Sequence, residues 1–534
     1  MKNHWKRNII AGYLLALMSI VAGQESDSTK IKLINADVQI YSKEFVNIQR
    51  LIGHVAFEHE GTQLYCDSAH MQNDQSFFDG YRNVRIIAND SVTIYADILH
   101  YDAETKLAEL HTNVRLESNN STLYTEELFY NRKTGIAYYL KGGKIVDTDN
   151  ELLSHKAYYY TEGEYAYFKD SVILINPRYK MISDTLRYDP NTELSNFFGP
   201  TFIYSEENTI YCENGWYNSI SDQAQFNKNA YLINGNTKLQ GDSLYYDRKR
   251  DYGEAFDQVS MIDTVQNVMI EGEVAYLFNK EGYAFVTDKA LASLIDQNDT
   301  LFLHSDTLYV EFDSTQSAKL MTAYYKARFY RKDLQGYCDS LVYYMQDSLM
   351  KMFRQPVLWT DNNQMIADSI NLFMANEQMD SITMIQNASI ISIDDSIMDT
   401  FNQIQGKIII GHFKDNEIYK MDVNGNARTI YFQRDDKDSS LVGIYIIDAK
   451  YLKIYIRNRK LKGISNFENV EGKIYPWDKI KKEDMRLQGF VWRNAIRPVS
   501  KEDLFDDNKY SKTNREEQTT EAARNNKAEK NAPD

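Results

Sequence analysis

Asp184-Thr185-Leu186-Arg187-Tyr188 is followed, past the turn Asp189-Pro190-Asn191-Thr192, by Gly199-Pro200-Thr201-Phe202-Ile203. Both phrases recur along the chain. The first is an acid, a small or polar residue, an aliphatic residue and, two further on, an aromatic. It returns as Asp97-Ile98-Leu99-His100-Tyr101 and Asp242-Ser243-Leu244-Tyr245-Tyr246, with looser copies starting at Asp67, Glu126, His155, Glu213, Asp306, Asp339 and Asp368. The leading position falls at 67, 97, 126, 155, 184, 213 and 242, one step of 30 and then steps of 29. A fixed period of this size marks stacked supersecondary units.

Within the phrase the acid, the aliphatic and the aromatic stand at i, i+2 and i+4, so they share one face of a strand. The residues between them, such as Ser183, Thr185 and Arg187, are polar or small, which leaves the other face wet or lightly covered. The second phrase reads Asn83-Val84-Arg85-Ile86, Asn113-Val114-Arg115-Leu116, Ser171-Val172-Ile173-Leu174, Asn229-Ala230-Tyr231-Leu232 and Gln258-Val259-Ser260-Met261. Its Val/Ala place falls at 172, 201, 230 and 259, again in steps of 29. Turn formers such as Asp102-Ala103-Glu104-Thr105 lie between the two phrases. Each unit therefore reads as two antiparallel strands joined by a hairpin, because a parallel pair needs a crossover of a dozen or more residues. Small or acidic residues at one constant place in long strands predict that every strand bends there. The fold class is all-β, an extended antiparallel bent-strand solenoid of two-strand repeats.

The recurring acids invite a reading as a catalytic or calcium-binding ladder. With two strands per repeat they stand about 9 to 10 Å apart, too far to share a metal ion. His155 in the same place argues against a required charge. The acids are expected to be corner carboxylates that cap backbone N–H groups.

At 534 residues the chain is long for one core, but a solenoid grows by neighbour contacts alone. Its 40 Tyr and 24 Phe against 7 Pro suit strands and short turns, and a formal net charge of -16 argues against nucleic acid. Lys2, Lys6 and Arg7 precede the mostly apolar Ile9 to Ala22, and Val21-Ala22-Gly23 suits signal cleavage before Gln24. Left uncleaved, the same residues would serve as an anchor. Cys66, Cys212 and Cys338 each directly precede a repeat acid, so they occupy one place in distant units and are expected to be three separate thiols. In an exported protein one of them would remain open to pairing between chains.

The expected organisation is a signal peptide at 1–23, regular repeats at 24–262, less regular β repeats at 263–505 and a disordered polar tail at 506–534. Val265 to Leu303 breaks the period, as a domain boundary or an insertion would. Gly489-Phe490-Val491-Trp492-Arg493 and Arg497-Pro498 are expected to close the ordered part.

No catalytic constellation stands out. The densest histidine cluster, His54, Glu58 and His59, has its two histidines on opposite strand faces and reads as solvated rim residues. No Walker loop, G-x-S-x-G elbow, G-x-G-x-x-G or nine-residue calcium repeat is found. The chain is read as no enzyme, with no catalytic or metal site and no cofactor.

A leader followed by bent-strand repeats of "acid-x-Leu-x-Tyr" and "Asn-Val-x-apolar" resembles the OstA/LptA-like (organic solvent tolerance) family over roughly residues 31 to 475. The resemblance implies a β-jellyroll or β-taco that carries lipopolysaccharide through the periplasm to the outer membrane. It implies lipopolysaccharide or a related glycolipid as ligand, other bridge components joined by end-to-end strand pairing, and an outer-membrane translocon as partners. The chain is longer than a single transport module and lacks the alternating membrane strands of the translocon barrel. On this reading the trough is lined by Leu99, Tyr101, Leu128, Tyr130, Leu186, Tyr188, Leu244 and Tyr246, with Val84, Val114, Val172 and Val259 from the second phrase. Anionic head groups would stay in solvent or be bridged by divalent cations, given the acidic surface. Two rival readings are a structural or adhesive solenoid with a filled core, and a polysaccharide-active solenoid enzyme.

Overall fold

The computed structural model describes residues 31–510, apart from 42–46, 60, 73–75, 90–91, 119–120, 207, 266, 296–298, 315–316, 376–377, 396–397, 415–416, 436–439 and 458–459. The expected signal peptide lies outside the described residues. The described chain is almost wholly antiparallel β, as the spacing of the phrases required, and it divides into two compact units, Met1–Phe256 and Asp257–Asp534.

In the first unit the bend is a two-residue bulge. Tyr165–Asn176 pairs with Tyr179–Asp189 from Ala166↔Tyr188 to Lys169↔Thr185, then resumes at Val172↔Ser183. Asp170 and Ser171, both at φ 62°, thus face the single residue Asp184. The same doubled left-handed step occurs at Arg82–Asn83, Thr112–Asn113 and Lys228–Asn229. Left-handed backbone disfavours most side chains and is best tolerated by Asn, Asp and Gly, which explains why the second phrase opens on Asn. At the Pro200 corner Gly199 (φ +78°) takes the place instead; a Cβ there would stand 2.8 Å from the Cβ of Asp184.

The bulge turns each strand so that its two halves form two faces. Leu51, Leu99 and Leu110 lie on one side of their corners and Phe57, Ile94 and Leu116 on the other, and all six belong to one buried cluster. The hairpin ends are tied by side-chain turns at the same period. Asp102 Oδ1 accepts from the N–H groups of Glu104 and Thr105, Asn131 Oδ1 from Lys133 and Thr134, and Asp189 Oδ1 from Asn191 and Thr192. Where His155 replaces the acid, the chain runs as two short strands, Glu151–Ser154 and Lys156–Tyr160.

The second unit repeats the device at Asp288–Lys289, Tyr325–Lys326, Arg354–Gln355 and Gln386–Asn387. Its later strands lengthen, to Gln378–Asp395 and Glu417–Arg434. The irregular stretch after Val265 resolves into the hairpins Val268–Phe278 with Tyr283–Thr287, and Leu291–Ile295 with Thr300–His304.

The end of the chain departs from expectation. Residues 477–510 form no further repeat but a strap with four short 3-10 turns. The strap runs over the sheet face opposite the interior cluster that holds Phe329, Leu334, Met365 and Ile404. Gln403 donates to Met485 O at 2.8 Å and accepts from Leu487 N at 2.8 Å. Gln364 donates to Val491 O at 2.7 Å and accepts from Arg493 N at 2.6 Å. Each side-chain amide thus bonds a carbonyl and an N–H two residues apart, as a neighbouring strand would. Arg328, fully buried, donates to Leu504 O at 2.6 Å and Asp507 Oδ1 at 2.5 Å, and its guanidinium lies 3.9 Å from the Tyr510 ring centroid. The polar tail read from 506 onward is therefore ordered through Tyr510, because Asp507 and Tyr510 close over Arg328. The rest of the tail lies outside the described residues.

Candidate lipid-binding trough

The phrase acid stands at the outer corner, as its exposure shows for Asp184. Its principal partner is a side chain, where a backbone N–H was expected. Asn83 donates to Asp67 at 2.8 Å, Asn113 to Asp97 at 2.6 Å and Asn229 to Glu213 at 3.0 Å. In the second unit Lys289 meets Glu273 at 2.6 Å and Arg354 meets Asp339 at 3.0 Å. Backbone N–H groups contribute longer bonds, Asn229 N to Asp242 and Gln258 N to Glu273, both 3.4 Å. His54 is one of these corner residues, paired with Asp37 at 2.7 Å, and His59 packs against Tyr101.

Behind the corners stand the residues expected to line a trough. Val84, Val114, Val172 and, in the second unit, Val259 are buried immediately after their bulges. Leu99, Leu128, Leu186, Leu244, Tyr101 and Tyr188 are also buried, while Tyr130 is half-buried. Tyr246 departs from the pattern: it is 37% exposed and its hydroxyl donates to Asp251 at 2.6 Å.

Tyr246 reports a gradient within the first unit. One inner row runs across successive strands as Leu174, Met181, Ile203, Ile210, Leu232 and Leu239. The first two are buried, and the last four are each partly open to solvent. The companion row runs Tyr188, Ser195, Tyr217, Ala224 and Tyr246, from full burial to the exposed Tyr246. These two rows are thus buried at the strand Tyr179–Asp189 and incompletely covered beyond it. Ile203 and Leu232 stand two residues after the Val/Ala place, a position the period itself marks.

A second opening lies earlier in the same unit, where Ala137, Ala157 and Ala166 replace larger inner side chains. Together with Leu116, Leu128 and Phe168 they border a pocket of about 590 Å³ that includes open solvent. Tyr139 lines it, and its hydroxyl is 2.7 Å from Ser154 Oγ. Burial pushes the Tyr139 phenol up to about 12, and raises Tyr159, Tyr188 and Tyr217 further. These hydroxyls therefore stay neutral at any physiological pH and present no charge to an apolar guest.

The three cysteines lie apart in buried slots and carry no disulfide. Burial pushes the thiols of Cys66 and Cys212 up to about 11 and about 12, and that of Cys338 higher still, so they carry no thiolate reactivity.

Residues 28–184 match the family model described as OstA-like protein, which bears out the resemblance read from the repeats over that stretch. A solved structure, that of LptH, the LptA homologous periplasmic component of the lipopolysaccharide transport device from Pseudomonas aeruginosa, is similar at 15% identity and a TM-score of 0.20. The match covers 21% of this chain and 93% of that one. No curated protein matches.

Proposed function

We propose that this protein is a periplasmic carrier that shelters the acyl chains of lipopolysaccharide or a related glycolipid on the way to the outer membrane. The observation that carries the reading is the uncovered inner row of the first unit. Ile203, Ile210, Leu232 and Leu239 are apolar, aligned across four strands and partly open to water. Leaving such a row unfilled is unfavourable, and each acyl methylene buried against it would contribute about 0.8 kcal/mol. The OstA-like match over residues 28–184 supports the same reading.

Partners fit at the strand edges. Among the described residues, Lys32–Asn35 and Val38–Tyr41 pair with Ile48–His59 alone, and Lys460–Phe467 and Glu471–Tyr475 pair with Leu441–Arg457. Such edges accept a further strand from a neighbouring bridge component or from the translocon. The filled cluster from Ile31 to Leu128 favours the structural-solenoid reading for that stretch, so in the first unit the carrier role attaches to the strands beyond it.

The test is native mass spectrometry of the purified full chain mixed with lipopolysaccharide. The proposal expects a lipid-bound species that survives high salt, as acyl burial does. A complex abolished by salt, or none at all, overturns it.

A further inference from the structure

The two units fill their interiors with different chemistry. Among the described residues, the first unit buries two methionines, Met71 and Met181. The cluster of the second unit contains Met321, Met352, Met365, Met379, Met384 and Met421, with Met261, Met345, Met350 and Met374 packed against it. Ten of the 17 methionines of the chain thus converge on one interior. Methionine is unbranched and polarizable, with three rotatable bonds, and it repacks around irregular neighbours where Leu, Ile and Phe hold one shape. Such a core specifies its own conformation poorly, so the sheet around it must be fixed by other means. The strap does this from the opposite face. Its residues bond in turn to Gln403, Gln364, Gln335 and Arg328, which lie on four different strands.

We infer that the second unit is an adaptable acyl-chain seat, in which the methionine lining rearranges to accept chains of unlike length, number and branching while the strap holds the backbone. The inference rests on the carrier reading and deepens it: the first unit supplies an aliphatic row of fixed shape, and the second supplies breadth. Met352 and Met384 have no exposed surface, so entry of a chain displaces them as side chains and leaves the ladder of strands intact.

The experiment compares the full chain with a variant carrying Met352→Leu, Met365→Leu, Met384→Leu and Met421→Leu. These exchanges nearly conserve volume and remove flexibility. Binding of hexa-acyl and of tetra-acyl lipid A is measured for both proteins. The wild type should bind the two probes alike, and the variant should keep one and bind the other about tenfold more weakly, the equivalent of about two methylenes left unburied. Peroxide oxidation of the four methionines in the wild type, followed by peptide mass spectrometry, should slow when either probe is bound. If the fourfold variant does not fold, the pair Met352→Leu and Met384→Leu carries the same comparison. Equal breadth in wild type and variant overturns the inference and leaves the carrier reading standing, with the methionines as fillers of an irregular core. Failure of the wild type to bind either probe overturns both.

Discussion

Asn113 donates its side-chain amide to Asp97 Oδ2 at 2.6 Å across the corner of the trough, while its own backbone sits at φ 54°. One residue thus supplies the left-handed step and the tie that holds it. Asn113→Val removes the hydrogen bond, worth about 1 kcal/mol, and forces a β-branched side chain into left-handed backbone at about 1–3 kcal/mol. Asn113→Gly loses only the bond and should destabilise by about 1 kcal/mol or less. Urea midpoints should therefore rank wild type, Gly, Val. A Val variant as stable as the Gly variant would show that the corner is not left-handed in solution.

Removal of the strap tests what fixes the second unit. A chain ending at Tyr475 loses the paired bonds to Gln403, Gln364 and Arg328 and uncovers Trp359. About 1 kcal/mol per bond, less the entropy regained by the freed segment, gives a loss of about 3–5 kcal/mol. Hydrogen exchange should show the loss in strands such as Ala318–Arg331 and leave Tyr165–Asn176 unchanged.

Acid should loosen the strap first. The Arg328 guanidinium holds the Asp507 carboxyl below its ordinary value of 3.8, with smaller help from Lys326 and His304. A carboxylate depressed in the folded state contributes its stability in full above the unfolded value and loses it as pH falls through the folded one. Protease cleavage between residues 485 and 510 should therefore rise below about pH 3.8, and Asp507→Asn should be cleaved readily and independently of pH over that window. A pH-independent wild type would contradict the assignment.

The thiols offer a check on the interior. Cys66, Cys212 and Cys338 are buried, with their ionisation pushed up by that burial. None should react with maleimide at neutral pH until the chain unfolds, and all three should then react together with loss of the strands that hold them. Rapid labelling of Cys212 in the native protein would mean that the corner row opens.

The period made most of this fold readable because each phrase encodes a local rule. Leu186 and Tyr188 alternate onto one strand face, and the Asn before Val84 and Val114 is the residue that a left-handed corner favours. Asp184, which the spacing puts on the face of Leu186 and Tyr188, stands exposed instead, because the bulge opposite it turns the strand at that residue. The bond from Asn113 back to Asp97 was hidden, since the alternation says which face a residue takes and not which side chain it meets. The strap was illegible for a stronger reason. Gln335, Gln364 and Gln403 occupy no common place in the repeat, and their partners on the strap come from 82 residues or more away in sequence. Tyr246 was misplaced because the phrase repeats faithfully while the cover over it does not. Burial there depends on how many strands close over the row, which no local spacing records.

Leu239 and Gln240 stand side by side in the strand Thr237–Asp247 and point to opposite faces, Leu239 opposite Leu232 and Gln240 opposite Tyr231. A photo-crosslinking amino acid placed at each in turn, in cells making the full chain, tests the trough most directly. The carrier account predicts glycolipid adducts at 239 and none at 240. Adducts at both positions alike, or at 240 alone, would contradict it.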